Sequence, residues 1–235
     1  MIILIFLLTS NLVKCEPMPF DIGESFNYNV FFSGLQAGHG KLSVIKLDTV
    51  QNLPSYHVRF STWTTGFTNK IYPIKDRIDI WLDKNTLKTL RVDKNIQEGN
   101  YKKNSKSFFN HNDGLVVVDG DSISVPKGII SPYSLFYSLR NKIIPELNGT
   151  NLKIIDGKKV TELKLIVESQ QNVIIPGGNF LCNKVSPVRN DKKEFKNKGE
   201  ISIWFSEKMP EQIPVKIWIK LNYGSLKMEL ENWVN

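Results

Sequence analysis

The chain has 235 residues, 41% of them hydrophobic, and 31 Lys and Arg against 23 Asp and Glu give a formal charge of +8. The apolar fraction is enough for a real core, and 15 Gly and 11 Pro are dispersed along the chain, which excludes a disordered protein. No repeat of fixed period and no low-complexity linker interrupts residues 16–235, so they read as a single β-rich domain.

Residues 1–15, MIILIFLLTSNLVKC, begin with a short apolar run. It falls short of the ~20 residues that span a bilayer and fits the core of a signal peptide, although no Lys or Arg precedes it. Leu12-Val13-Lys14-Cys15 has the apolar residues of a lipobox, but Lys14 stands where a small residue is required. Two fates stay open, cleavage just after Cys15 and lipidation of Cys15. Both imply export, to the periplasm or the outer membrane of a Gram-negative bacterium. With this segment gone, Cys182 is the only cysteine left, so no internal disulfide supports the fold. Its neighbours Phe180 to Val185 read as a strand, and Cys182 is expected as a small buried residue rather than a nucleophile.

The strands start at once. In FDIGESFNYNVFFSGLQAG (residues 20–38), Phe26, Tyr28, Val30 and Phe32 alternate with Asn27, Asn29 and Phe31, the period of a strand with one buried face. Gly34 breaks the run, and Gly38 and Gly40 bracket His39 before a second strand resumes with Leu42 and Val44. Pro54 and Ser55 open a third through Tyr56, Val58 and Phe60. In DRIDIWLD (residues 76–83), Ile78, Ile80 and Leu82 face one way, and Arg77, Asp79, Trp81 and Asp83 the other. Turns at Asp83-Lys84-Asn85, Gly99-Asn100 and His111 to Gly114 separate the strands that follow, ending with Leu115 to Val118.

One segment changes period. Ser131 is an N-cap, Pro132 takes the first helical position, and Leu135, Phe136, Leu139 and Ile143 make an apolar stripe before Pro145. This predicts one α-helix over about residues 132–143, which must pack on a sheet face. Strands then resume at Lys159 to Val167, Asn172 to Ile175, Phe180 to Val185, Ile201 to Phe205, Val215 to Leu221 and Leu226 to Leu230. Short turns without alternating helices give an all-β antiparallel meander. About a dozen strands must curl, and the expected result is a half-open barrel around the helix.

The order of these pieces resembles a known family. Gly23-Glu24, Tyr28, Val30, Gly34-Leu35 and Ala37-Gly38 resemble the start of exported bacterial proteins called domain of unknown function 3108. Asp76, Leu82-Asp83, Thr86-Leu87 and Glu98-Gly99 fit next, then the helix from Ser131 to Arg140, where the family usually carries an acidic residue before its proline. Ile175 to Gly178, Cys182, Val185, Pro187, Ile203 to Ser206 and Ile213 to Val215 complete the order. The resemblance implies an envelope protein with a large, partly closed antiparallel sheet, similar in outline to half-barrels that carry lipoproteins or lipids. It implies no activity for particular residues.

Catalytic chemistry is thinly represented. His39, His57 and His111 stand apart, with no partner at metal-ligand spacing, and His57 and His111 are expected at the surface. No G-x-S-x-G, His-Glu-x-x-His, P-loop or dinucleotide fingerprint occurs. Asp76, Asp79 and Glu98 could meet across strands, but exposed charges explain them as well. No enzyme, metal or cofactor is expected.

Trp81, Trp204 and Trp218 share the strand face opposite the aliphatic alternation. Either the helix covers that face and the tryptophans are core, or they form a concave aromatic wall beside Lys216 and Lys220, for an apolar chain with an anionic head or a sugar polymer. Lysine-rich stretches at Tyr101 to Asn104 and Asp191 to Lys198 read as solvated loops, or as attraction to phospholipid or acidic polysaccharide with peripheral membrane association. Nucleic acid is not expected of an exported chain without a recognition helix. The leading expectation is a non-catalytic envelope protein that binds a lipid-like or glycan ligand in the curled sheet. The alternative is a structural or assembly partner with no small-molecule site, whose protein partner the sequence does not name.

Overall fold

A computed structural model describes residues 18–189, 200–208, 211–221 and 224–234. The segment with Cys15 and the Asp191–Lys198 lysine stretch lie outside the described residues.

Alternating apolar residues make two meanders. The first is β1 (Ser25–Phe32), β2 (Leu35–Val50), β3 (Leu53–Thr64), β4 (Lys75–Asp83), β5 (Thr89–Glu98), β6 (Tyr101–Asn110), β7 (Leu115–Val118) and β8 (Asp121–Ser124). The second is β9 (Asn151–Asp156), β10 (Lys159–Ile175), β11 (Gly178–Arg189), β12 (Ile201–Ser206), β13 (Pro214–Leu221) and β14 (Gly224–Val234). The first and last strands pair, Ser25 opposite Val234, and join the meanders into one antiparallel sheet of fourteen strands. Its order is β8-β7-β6-β5-β4-β3-β2-β1-β14-β13-β12-β11-β10-β9.

A sheet this wide curls. Phe26, Tyr28, Leu42, Val58, Ile80, Val92, Leu165, Ile203, Val215 and Leu230 come from both halves and form one buried cluster. The aliphatic face is therefore the inside. The edge strands β8 and β9 do not pair with each other. They are brought together by the Lys158–Asp121 ion pair, and Ile130 pairs in parallel with Ile154 of β9. The barrel is half-open, as the meander predicted.

β2 corrects one expectation. It runs unbroken from Leu35 through both Gly38 and Gly40. A Cβ on Gly38 would lie 2.0 Å from the Trp63 carbonyl oxygen, so this glycine serves a close approach of β3 rather than a turn.

The segment between β8 and β9 plugs the interior. The predicted helix over 132–143 is reduced to a 3-10 turn (Pro132–Ser134) and a single α turn (Leu135–Ser138), and a second 3-10 turn (Ile144–Leu147) follows it. Just past the α turn, the side chain of Arg140 is fully buried. Its guanidinium donates to both Glu24 carboxylate oxygens at 2.6 and 2.7 Å, to the Pro19 carbonyl at 2.9 Å and to the Glu211 carbonyl at 3.0 Å. The rings of Phe20, Phe26 and Tyr137 surround it at 5.2 to 5.5 Å. The Gln212 amide donates to the Arg140 and Lys142 carbonyls at 2.9 and 2.7 Å, taking acceptors that a longer helix would use internally. Burial raises the Glu24 carboxyl, and Arg140 opposes the rise. This clasp ties the plug to β1 and to the approach to β13.

Leu135, Tyr137, Leu139 and Ile144 of the plug join the aliphatic core, not the tryptophan face. A second helix, Gly66–Ile71, follows β3 and buries none of its residues, which is why no apolar stripe announced it. It precedes the plug in the chain and is called α1 below.

An apolar mouth at the open end of the curled sheet

The plug fills only part of the interior. Along β13, Val215 and Ile217 are buried but Ile219, next on the same face, is half-buried. The change repeats along the other columns. It falls between Ile203 and Ile201 on β12, Met228 and Leu226 on β14, Val58 and Phe60 on β3, and Val92 and Ile96 on β5. Ile219 stands opposite both Ile201 and Leu226, so these residues share one level of the barrel. Phe136 of the plug stacks on Phe60 at 6.1 Å. Beyond it the apolar face continues to a lip of Phe32, 43% exposed, and Leu35, 79% exposed, which pair with each other. This half-buried apolar end of the inner face, which still packs against the core cluster, is called the mouth below.

One wall of the interior is polar. Lys94 lies between Val92 and Ile96 on the inner face of β5, binds Asp156 of β9 at 2.6 Å and sits 5.6 Å over the Tyr133 ring. Asp76 and Glu98 are hydrogen-bonded to each other, and Asp76 also accepts the Gln97 N–H at 2.9 Å. Burial raises the Asp76 carboxyl, and burial with the neighbouring Asp76 charge raises Glu98. Burial raises the Tyr133 hydroxyl too, helped by Asp156, Asp76 and Glu98. Among the described residues, no group of three or more His, Cys, Asp and Glu could hold a metal ion. Asp79, the third acid expected to meet this pair, faces outward.

The tryptophans lie on the outside. Trp81 is 8% exposed, but the plug does not bury it. It stacks on His57 at 4.5 Å, lies under Arg91 at 4.4 Å and packs with Val50 and Leu90 in a small separate cluster. Its N–H donates to Asp48 at 3.0 Å, and with the Thr49 N–H holds that carboxyl down at about 2. His57, expected at the surface, is buried in this layer with Nε2 2.7 Å from Asp79, which also accepts from Arg59 at 2.7 Å. Burial would raise Asp79, but these hydrogen bonds outweigh it and lower its pKa. His111 is half-buried and bonds the Thr89 carbonyl at 2.7 Å.

Trp204 lies between Lys216 at 4.8 Å and Lys184 at 5.7 Å, and its N–H donates to Gln171 at 2.7 Å. Trp218, on the adjacent strand, stands opposite Ser202 and Lys227. Lys220 pairs with Glu200 at 3.1 Å. The structure thus brings Trp204, Lys216 and Trp218 into one outer patch, with four strands between it and Trp81. The expected concave aromatic wall and the helix cover over it are both corrected. Long cationic side chains shield these rings, while the sheet curls the other way around its aliphatic face. Cys182 is fully buried, and burial pushes its thiol up to about 12, so it is a packing residue.

The sequence reading missed the mouth. Its signal was present in Ile201, Ile219 and Leu226, which continue their columns, but strand pattern alone does not mark where burial ends.

Comparison with known proteins agrees with this architecture. The chain is similar to a β-barrel-like protein of domain of unknown function DUF1849 from Brucella abortus, with 11% identity over 91% of this chain and 97% of that one and a TM-score of 0.58. Weaker similarity links it to a candidate lipoprotein from Parabacteroides distasonis (11% identity, 92% and 97% covered, TM-score 0.40). It also links it to hypothetical protein CT021 from Chlamydia trachomatis (8% identity, 92% and 88% covered, TM-score 0.41). At these identities the likeness is one of fold. No curated protein matches the chain. The profile of the family described as "Protein of unknown function (DUF3108)" matches residues 27–231, nearly the whole sequence, and the chain belongs to that family.

Proposed function

We propose that this is an exported cell-envelope protein that binds a lipid-like ligand, without transforming it, by taking the ligand's apolar chain into the mouth of the curled sheet. The observation that carries the reading is the loss of burial at one level across β12, β13 and β14, where Ile201, Ile219 and Leu226 stand opposite one another and are half-buried. Each methylene group moved from water into such a site is worth about 0.8 kcal/mol. An alkyl chain of moderate length therefore supports micromolar binding after the costs of association. An aliphatic lining favours an acyl chain over a glycan, which needs aromatic platforms and amides. Export is supported by the signal-peptide pattern of residues 1–15.

The test is native mass spectrometry of protein purified gently from its own envelope, with titration of a fluorescent fatty acid as a second readout. Bound mass and probe uptake are expected in the natural chain and lost in Ile219→Asp and Phe60→Asp. Trp218→Ala, on the outer face, should retain both. Uptake that survives both mouth variants would refute the proposal.

A further inference from the structure

The rim beside the mouth has a second unusual surface. α1 is placed by the Thr65 N–H, which donates to the Ala37 carbonyl of β2 at 3.1 Å. Tyr72, just after α1, lies over the β5–β6 turn so closely that a Cβ on Gly99 would sit 2.8 Å from its ring. The Gly99 N–H donates to the Pro73 carbonyl at 2.8 Å. α1, the β1–β2 turn and the β5–β6 turn are thereby held as one rim. From it Phe67, 76% exposed, and Ile71, 66% exposed, project with Leu35, Tyr72 and Tyr101. Isolated apolar residues on a surface are normal, but five on one rim are not.

The charge around them is one-sided. Residues 31–47, 65–75 and 99–112 contain no Asp or Glu. Lys70, Lys75, Lys102 and Lys103 lie on these segments, and none is ion-paired among the described residues. Carboxyls stand at the borders of these segments, Asp76 after Lys75 and Glu98 opposite Tyr101. Exposed aromatic and aliphatic tips ringed by unpaired lysines match the two layers of an anionic membrane surface. The tips reach the acyl boundary while the ammonium groups stay at the phosphates.

We propose that this rim docks on an anionic bilayer, with Phe67 and Ile71 inserted and Lys70, Lys75, Lys102 and Lys103 at the headgroups. The orientation turns the lip of Phe32 and Leu35 toward the membrane. Docking does not depend on whether the mouth holds a ligand.

The experiment is vesicle flotation of residues 16–235, which carry the whole described sheet and omit the leader. Phosphatidylcholine vesicles with about a third phosphatidylglycerol are compared with pure phosphatidylcholine. The expected result is retention on the anionic vesicles only, weakened by salt. Phe67→Glu with Ile71→Glu should reduce it at least about tenfold. Lys70→Gln with Lys102→Gln and Lys103→Gln should abolish the preference for anionic lipid. Unchanged circular dichroism and thermal unfolding in both variants establish that the fold is kept. Ile219→Asp should float normally, which separates failure of docking from failure of ligand binding. No retention on either vesicle, or retention that survives both rim variants, overturns the proposal. So does capture by a protein partner through the same residues without lipid.

Discussion

The two ends of the barrel interior are lined by the same kind of residue, in the same alternation, on the same strands. At one end Ile217, Ile203 and Met228 are buried; one step along, Ile219, Ile201 and Leu226 are not. Residue type does not explain the difference. What differs is position along the strands: the first three belong to the common buried cluster, and the second three pack against it only in part. Along one apolar face, the sheet thus passes from a closed core to a half-buried level within two residues.

The comparison breaks most completely at the clasp. Arg140→Met should cost about 3–5 kcal/mol in urea unfolding, since it leaves Glu24 buried without a partner. Adding Glu24→Gln should recover part of that loss. If Arg140→Met costs less than about 1 kcal/mol, the plug is held by packing alone. Next in size, Ile217→Ala should cost about 2–4 kcal/mol and Ile219→Ala under about 1 kcal/mol. Equal costs would mean that the mouth is a core after all.

Two carboxyl sites sharpen the contrast through pH. The raised Asp76–Glu98 pair has a stabilising contribution that is complete below the unfolded carboxylate range and is lost as pH rises through the folded values. Glu98→Gln should therefore raise the melting temperature at pH 8 and change little at acid pH. The lowered Asp79 on the outer face has the opposite sign, present above its unfolded pKa and lost as pH falls through the folded one. Asp79→Asn should lower the melting temperature at neutral pH and have less effect in acid. The smallest effect belongs to Lys220→Gln, within about 0.5 kcal/mol, because its pair with Glu200 is exposed.

The strands were legible because a half-buried strand writes its period of two directly into the sequence, as in Val215, Ile217, Ile219 and Leu221. The family resemblance followed from turns and glycines in order. Three features were not legible, each for a physical reason. The helix over 132–143 had a Ser-Pro start and helical periodicity, but Ser131 makes no side-chain capping bond and only one α turn forms, and nothing local marks Arg140 as the partner of Glu24. Trp81 and His57 are buried on an outer face, where periodicity predicts solvent, because Arg91 and the Asp79 network cover them. α1 is too short to show a stripe and buries nothing.

The pairing of β1 with β14 puts the chain's first and last strands in the middle of the sheet and its edges in the middle of the sequence. Most hairpins can form locally as the chain appears, but the central seam has a sequence separation of about the whole protein and forms last. The clasp waits as well, since Glu24 stands near one end and the Gln212 that secures Arg140 near the other. A chain wired this way cannot complete its sheet until its C-terminal strand is available. Removing β14 would split the sheet at its centre and leave two half-sheets, each with a newly exposed edge.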